Sequence, residues 1–152
     1  MSSQEPITVA YWATRGLGAP LRMMVMYANY PLNCVNYDYE VKNGAFDGSL
    51  WTDAKVSLKE ENPLMNIPYV GQGGMKVCQS IACASYIGRK LNMNGLNDDE
   101  ISGCEQLLNE VLPMLMHDPY YPYSFPSVTY LVYYTLSETT ANPVDPVHFP
   151  SH

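Results

Sequence analysis

The sequence predicts an α/β fold from two observations. A strand, a helix and a second strand follow one another at the front of the chain, and a glycine-reversed hairpin later runs straight into a helix. With 152 residues, 47% of them hydrophobic, the chain is long enough for one packed domain plus an appendage.

Residues 1–6 read as a loose leader. Residues 7–13, Ile-Thr-Val-Ala-Tyr-Trp-Ala, are β-branched and aromatic and predict a strand that Tyr11 and Trp12 close. The next residues, Thr14 to Pro20, form a loop and a helix start, because proline is tolerated in the first turn, where its missing N–H costs nothing. Residues 21–30 are then too densely apolar, with Met23, Met24, Val25 and Met26 in succession, for a solvated helix. Residues 34–39 alternate as a second strand and complete a β-α-β unit whose crossover should be right-handed. Residues 42–50, with two glycines, read as a surface loop, and residues 51–59 as a modest helix with Trp51 and Lys55 four apart on one face.

Residues 66–80 carry the most information. Pro68 fixes a turn of the kind in which cis X-Pro bonds occur, Tyr69 and Val70 start a strand, and Gly71, Gly73 and Gly74 supply a reversal. Residues 75–78 return as a partner strand, and Gln79-Ser80 opens a helix over residues 80–90. Free amides at a helix N-terminus attract carboxylates, so this stretch offers two polar anchor points, the turn and the helix mouth. A polar connector leads to a helix over residues 98–116, which Pro113 should kink or end. From Asp118 onward six prolines and six tyrosines dominate; residues 128–136 read as one short ordered run and residues 137–152 as an unstructured tail.

Charge divides the chain. Through Lys90 there are eight Lys/Arg against seven Asp/Glu, a net of +1; beyond it there are no Lys/Arg and eight Asp/Glu, a net of −8. An acidic half with no basic cluster argues against nucleic acid and against anionic membrane surfaces as partners. No apolar run is long enough to span a bilayer and no signal-like leader is seen, so a cytoplasmic location is expected. Cys34, Cys78, Cys83 and Cys104 make no C-x-x-C pair and read as reduced, mostly buried thiols; His117, His148 and His152 have no partners at metal spacing, so no metal is expected.

The element order is that of a thioredoxin-like domain (βαβ-α-ββα), although periodicity alone allows other α/β folds. Ala10-Tyr11-Trp12 with Arg15-Gly16-Leu17, then Trp51 and Lys55, then Asn66-Ile67-Pro68-Tyr69, then Gln79-Ser80, resembles the glutathione transferases, and most closely the mu class. The resemblance covers about residues 7–95 and implies a thioredoxin-like glutathione-binding domain at 1–92. A partial all-helical domain at 98–152, with an irregular Pro/Tyr-rich tail, would follow.

The resemblance also implies roles. Tyr11 would donate a hydrogen bond to the glutathione sulfur, stabilising thiolate over thiol so that a nucleophile exists near neutral pH. Trp12 and Leu17 would wall the electrophile side, and Trp51 and Lys55 would hold the glycine carboxylate. The Ile67 backbone before Pro68 would pair with the cysteinyl backbone, helped by Asn66, and Gln79 and Ser80 would bind the γ-glutamyl end. Glutathione enters as co-substrate, with no cofactor, and a small hydrophobic electrophile as its partner. Taken singly, each residue has a plainer reading: a Tyr-Trp pair closing a strand is usually core, Lys55 a solvated charge, Ser80 an N-cap and Arg15 half of an ion pair.

Two departures from the family bear on activity. The segment from Asp118 does not read as the continuation of the family's helical bundle, as a truncated, alternatively spliced or mis-predicted product would not. Leu64 stands where mu enzymes often place an aromatic dimer key, which bears on whether the chain is a homodimer. The expected activity is conjugation of glutathione to small hydrophobic electrophiles. The alternative is a glutathione-binding or structural module without turnover.

Overall fold

The computed structural model describes residues 4–117, and the expectations for residues 118–152 lie outside them. The chain runs β1 (Ile7–Trp12), α1 (Gly18–Tyr27), β2 (Leu32–Tyr37), β3 (Glu40–Lys42), β4 (Ala45–Asp47), α2 (Ser49–Glu61), β5 (Tyr69–Gln72), β6 (Met75–Cys78), α3 (Ser80–Lys90) and α4 (Asp98–His117). Four strands form one sheet in the order β2-β1-β5-β6. Strand β1 is parallel to β2 and antiparallel to β5, which is antiparallel to β6. This is the thioredoxin-like arrangement that the element order predicts.

Strand β1 lies inside the sheet, and its Ile7, Val9 and Ala10, which fall on both faces, are fully enclosed. Leu21 and Val25 of α1 and Cys83, Ala84 and Ile87 of α3 repeat at helical spacing, and the two helices pack on each other and on the sheet. Successive strand residues point to opposite faces, so Ala10 and Tyr69 belong to a second cluster with Trp51 of α2, Met65 and Cys78. Trp12, Val35, Tyr37, Leu58 and Ile67 pack around that cluster. Helix α2 is therefore anchored through Trp51, its one buried residue.

Three expectations are corrected. Residues 42–50 are not a plain loop: β3 and β4 pair as a hairpin with Lys42 opposite Ala45, so Asn43 and Gly44 form a two-residue turn. Both have positive φ, 51° and 78°, and Asn-Gly is the pair that such a turn requires. The leader is not loose at its inner end, since the Glu5 carboxylate accepts the Gly73 N–H at 2.9 Å. Helix α4 passes through Pro113 and ends at His117. Asn97 and Glu100 cap its start reciprocally, by Glu100 N–H to Asn97 Oδ1 at 3.0 Å and Asn97 Nδ2 to Glu100 Oε1 at 2.9 Å. Three acidic residues in its first turn suit the positive end of the helix dipole. The described chain falls into two compact units, one reaching Asn94 and the other beginning at Gly95.

Gln72 ties the first unit together. Its Nε2 donates to the Glu5 carbonyl at 2.6 Å and to the Tyr30 hydroxyl at 3.0 Å, while its Oε1 accepts from the Tyr86 hydroxyl at 3.2 Å. Gln72→Ala leaves those partners without it and is expected to cost about 1–3 kcal/mol in urea unfolding; a loss below a few tenths of a kcal/mol contradicts the tie.

The cysteines also differ from a mostly buried set. Cys78 and Cys83 are buried, Cys34 is exposed and Cys104 is intermediate. Burial raises the Cys83 thiol from its ordinary value of 9.0 to about 12. The folded chain therefore keeps that proton longer than the unfolded chain does. The resulting stabilisation is complete below pH 9 and is lost as pH rises toward about 12. A maleimide reagent at neutral pH should accordingly label Cys34 in the native protein and reach Cys83 only after denaturation; native labelling of Cys83 contradicts this placement.

Candidate functional site

Two groups of side chains meet at the end of the sheet where β1 stops and β5 starts. Ala10 pairs with Tyr69, and carrying that antiparallel register one step further sets Tyr11 across from Pro68. Pro68 is buried and the Ile67–Pro68 bond is cis. Strand pairing thus brings the expected catalytic tyrosine beside the expected backbone-pairing turn.

The first group belongs to the loop after β1. Tyr11 is half-buried and its ring lies against this loop: a Cβ on Gly16 would stand 2.8 Å from Tyr11 Cε1 and 3.0 Å from its hydroxyl oxygen. Gly16 has φ +29°, so both the backbone and the phenol require glycine there. Leu17 is the N-cap residue of α1 and is half-buried. Trp12 turns to the β3–β4 hairpin, meeting Phe46 and Tyr39 edge-on at centroid distances of 5.4 and 5.8 Å. The hairpin missing from the sequence reading is what supports Trp12.

The second group is built on α2. Asp47 accepts the Ser49 N–H at 3.0 Å at the start of this helix, and that backbone bond holds its carboxyl below the usual 3.8. One turn further in, Trp51 is 4% exposed, with Tyr37 edge-on at 5.1 Å and Tyr69 tilted at 6.4 Å. The Tyr37 and Tyr69 hydroxyls share a hydrogen bond of 3.2 Å. Burial, followed by that bond, raises the Tyr69 phenol well above its ordinary value. Lys55 holds its ammonium 5.5 Å from the Trp51 ring centre and donates to Asn66 Oδ1 at 3.5 Å. Trp51, Lys55, Asn66 and Ile67 are thus brought together, with the Lys55 cation linking the Trp51 ring to Asn66 before the turn.

Gln79 and Ser80 stand at the start of α3. Gln79, not Ser80, occupies the N-cap position, with φ 76° and no side-chain cap bond, and Ser80 is the first helical residue. Cys83 fastens this helix start to the turn, its thiol donating to the Val77 carbonyl at 3.3 Å and toward the Pro68 carbonyl at 3.6 Å. The start of α3 is thereby held beside the cis-proline turn. Among the described residues no group of three or more His, Cys, Asp or Glu side chains could hold a metal ion, and no helix is long and apolar enough to cross a membrane.

Sequence reasoning passed over Tyr37 and Tyr69 as supports of Trp51. The strand alternation that places Tyr37 on the face of Val35 was the available signal. It also passed over Arg22, for which the linear sequence gave no signal.

Comparison with known proteins agrees with this fold. Residues 7–89 match the family model described as glutathione S-transferase, N-terminal domain. A glutathione S-transferase of Tyrophagus putrescentiae is 35% identical over 127 residues, covering 77% of this chain and 54% of the relative. Mouse glutathione S-transferase Mu 3 is 36% identical over 109 residues, covering 70% and 48% respectively. In fold, the chain is similar to a major nematode-specific glutathione transferase of C. elegans, with a TM-score of 0.60 at 19% identity over 74% of this chain and 49% of that one. A Nu-class enzyme of Haemonchus contortus gives 0.58 at 18% identity, over 78% and 52%. The chain spans about half the length of these relatives. With the family model covering most of the first unit, and mu-class enzymes among the relatives, this chain belongs to the glutathione S-transferase family through its N-terminal domain.

Proposed function

We propose that residues 7–92 bind reduced glutathione and that Tyr11 stabilises its thiolate for attack on a small hydrophobic electrophile. The observation that carries this reading is the meeting of Trp51, Lys55 and Asn66 beside the cis Ile67–Pro68 turn. In this reading Lys55 and the Trp51 indole take the glycine carboxylate, and the Ile67 backbone, with Asn66 beside it, pairs with the cysteinyl segment like an added strand. Gln79, Ser80 and the first amides of α3 take the γ-glutamyl carboxylate. Tyr11 donates its O–H to the sulfur, favouring loss of the thiol proton to solvent. The sulfur lone pair then forms the new carbon–sulfur bond as the leaving group departs with its electrons. Trp12 and Leu17 border the electrophile side.

The setting is proposed as cytoplasmic, with no nucleic acid or membrane partner. A homodimer would have to form without the aromatic dimer key of the mu class, because Leu64, 75% exposed, stands at that position. One observation favours a second reading, binding without turnover: every proposed glutathione contact lies within residues 7–92, while the relatives are about twice as long as this chain. Retention on immobilised glutathione together with conjugation of a nitro-activated aryl halide supports transfer activity. Retention alone selects the second reading, and failure to bind removes both.

A further inference from the structure

We infer that Arg22 is a positioning residue for Tyr11: its guanidinium locks the loop between β1 and α1 onto β2 and so sets where the phenol stands. The functional consequence rests on the reading of Tyr11 given above. Arg22 Nη1 donates to the Thr14 carbonyl at 3.2 Å, and Nη2 donates to Asn36 Oδ1 at 2.8 Å. Thr14 lies in the loop, and Asn36 is the residue of β2 that pairs with Tyr11 itself. One side chain from α1 therefore grips the loop after the tyrosine and the strand position beside it.

The loop transmits this hold to the phenol. The Arg15 and Gly16 carbonyls both accept the Ala19 N–H, at 2.8 and 3.3 Å, which closes the loop on the first turn of α1. Gly16 then abuts Tyr11 so closely that even a Cβ would come within 3.0 Å of the hydroxyl oxygen. Movement of the loop at Gly16 changes the space in which that oxygen sits. Arg22 Nε has no protein hydrogen-bond partner, so the guanidinium holds the loop and β2 through its two Nη groups. Lysine cannot substitute, because a single ammonium does not reproduce the rigid fork that spans two acceptors on different elements.

The test compares wild type with Arg22→Lys and with Asn36→Ala, which removes one acceptor at an exposed position and guards against loss of folding in the first variant. Without ligand, amide hydrogen exchange at residues 14–18 should rise about tenfold or more in Arg22→Lys, and by less in Asn36→Ala, while α2 and α3 keep wild-type protection. With glutathione, the thiol pKa of the bound tripeptide should rise by about one unit at nearly unchanged affinity, because the donor is misplaced and the carboxylate anchors are not. Unchanged loop exchange in both variants overturns the inference. So does loosening spread evenly through the sheet, which would give Arg22 a general structural role. Wild-type protein that fails to bind glutathione would refute the proposed function, and the exchange arm would still decide the hold of Arg22 on the loop.

Discussion

Tyr11→Phe is expected to lower conjugation of a nitro-activated aryl halide by about 100-fold or more near neutral pH, the usual cost of removing one preorganised donor from a developing anion. Affinity for glutathione should hardly change, because the proposed anchors of its two ends, Lys55 with Trp51 and the start of α3, stand on other elements. The defect should also depend on pH. Without the O–H donor the bound thiol returns toward the ordinary value of about 8.5, so the thiolate is scarce at pH 6.5 and the deficit narrows as pH rises past that value. A pH–rate profile of wild type and variant reads both features. Equal rates at pH 6.5 would remove Tyr11 from the chemistry, while a large rise in the half-saturating glutathione concentration would make it a binding residue.

Trp51→Ala should be the most damaging single change to the fold. The indole is enclosed by Tyr37 and Tyr69 and joins α2 to the cluster of Ala10, Met65 and Cys78, so truncation leaves a cavity expected to cost about 3–5 kcal/mol. The same change releases Lys55, whose ammonium rests over that ring, and with it the proposed carboxylate anchor. Trp51→Phe separates the two effects. It keeps most of the packing but removes the indole N–H, so unfolding by urea should show a small loss while glutathione binding weakens about tenfold. If alanine at this position leaves the unfolding midpoint unchanged, Trp51 does not anchor α2.

The sequence made residues 66–80 readable because each step there is decided locally. Pro68 fixes the turn, Gly73 and Gly74 take the positive φ that the reversal needs while Gly71, also expected there, lies within β5, and α3 begins at Ser80 as expected. The β3–β4 hairpin was readable in principle from Asn43-Gly44. Its strands are three residues long, too short for alternation to register, and the two glycines of residues 42–50 read as loop punctuation. Of the two outcomes expected at Pro113, a kink or an end, the end does not occur, since a proline's preference against a helix interior is a local tendency and α4 continues through it.

What lay beyond the sequence is the support of the site rather than its members. Tyr37, Trp51 and Tyr69 come from β2, α2 and β5, and Arg22 reaches Asn36 from α1 to β2. These contacts exist only once the sheet has assembled in the order β2-β1-β5-β6, which no periodicity within one segment encodes. The motif residues could therefore be named from a resemblance, while the side chains that hold them in place required the fold.

The central claim is that this chain binds glutathione with its sulfur as a thiolate, and the far-ultraviolet thiolate absorbance of the wild-type complex, titrated against pH, tests it most directly. Binding accompanied by a bound thiol that ionises at least about one pH unit below free glutathione is the predicted result. A complex whose thiol titrates like the free tripeptide, or no complex at millimolar glutathione, would contradict it.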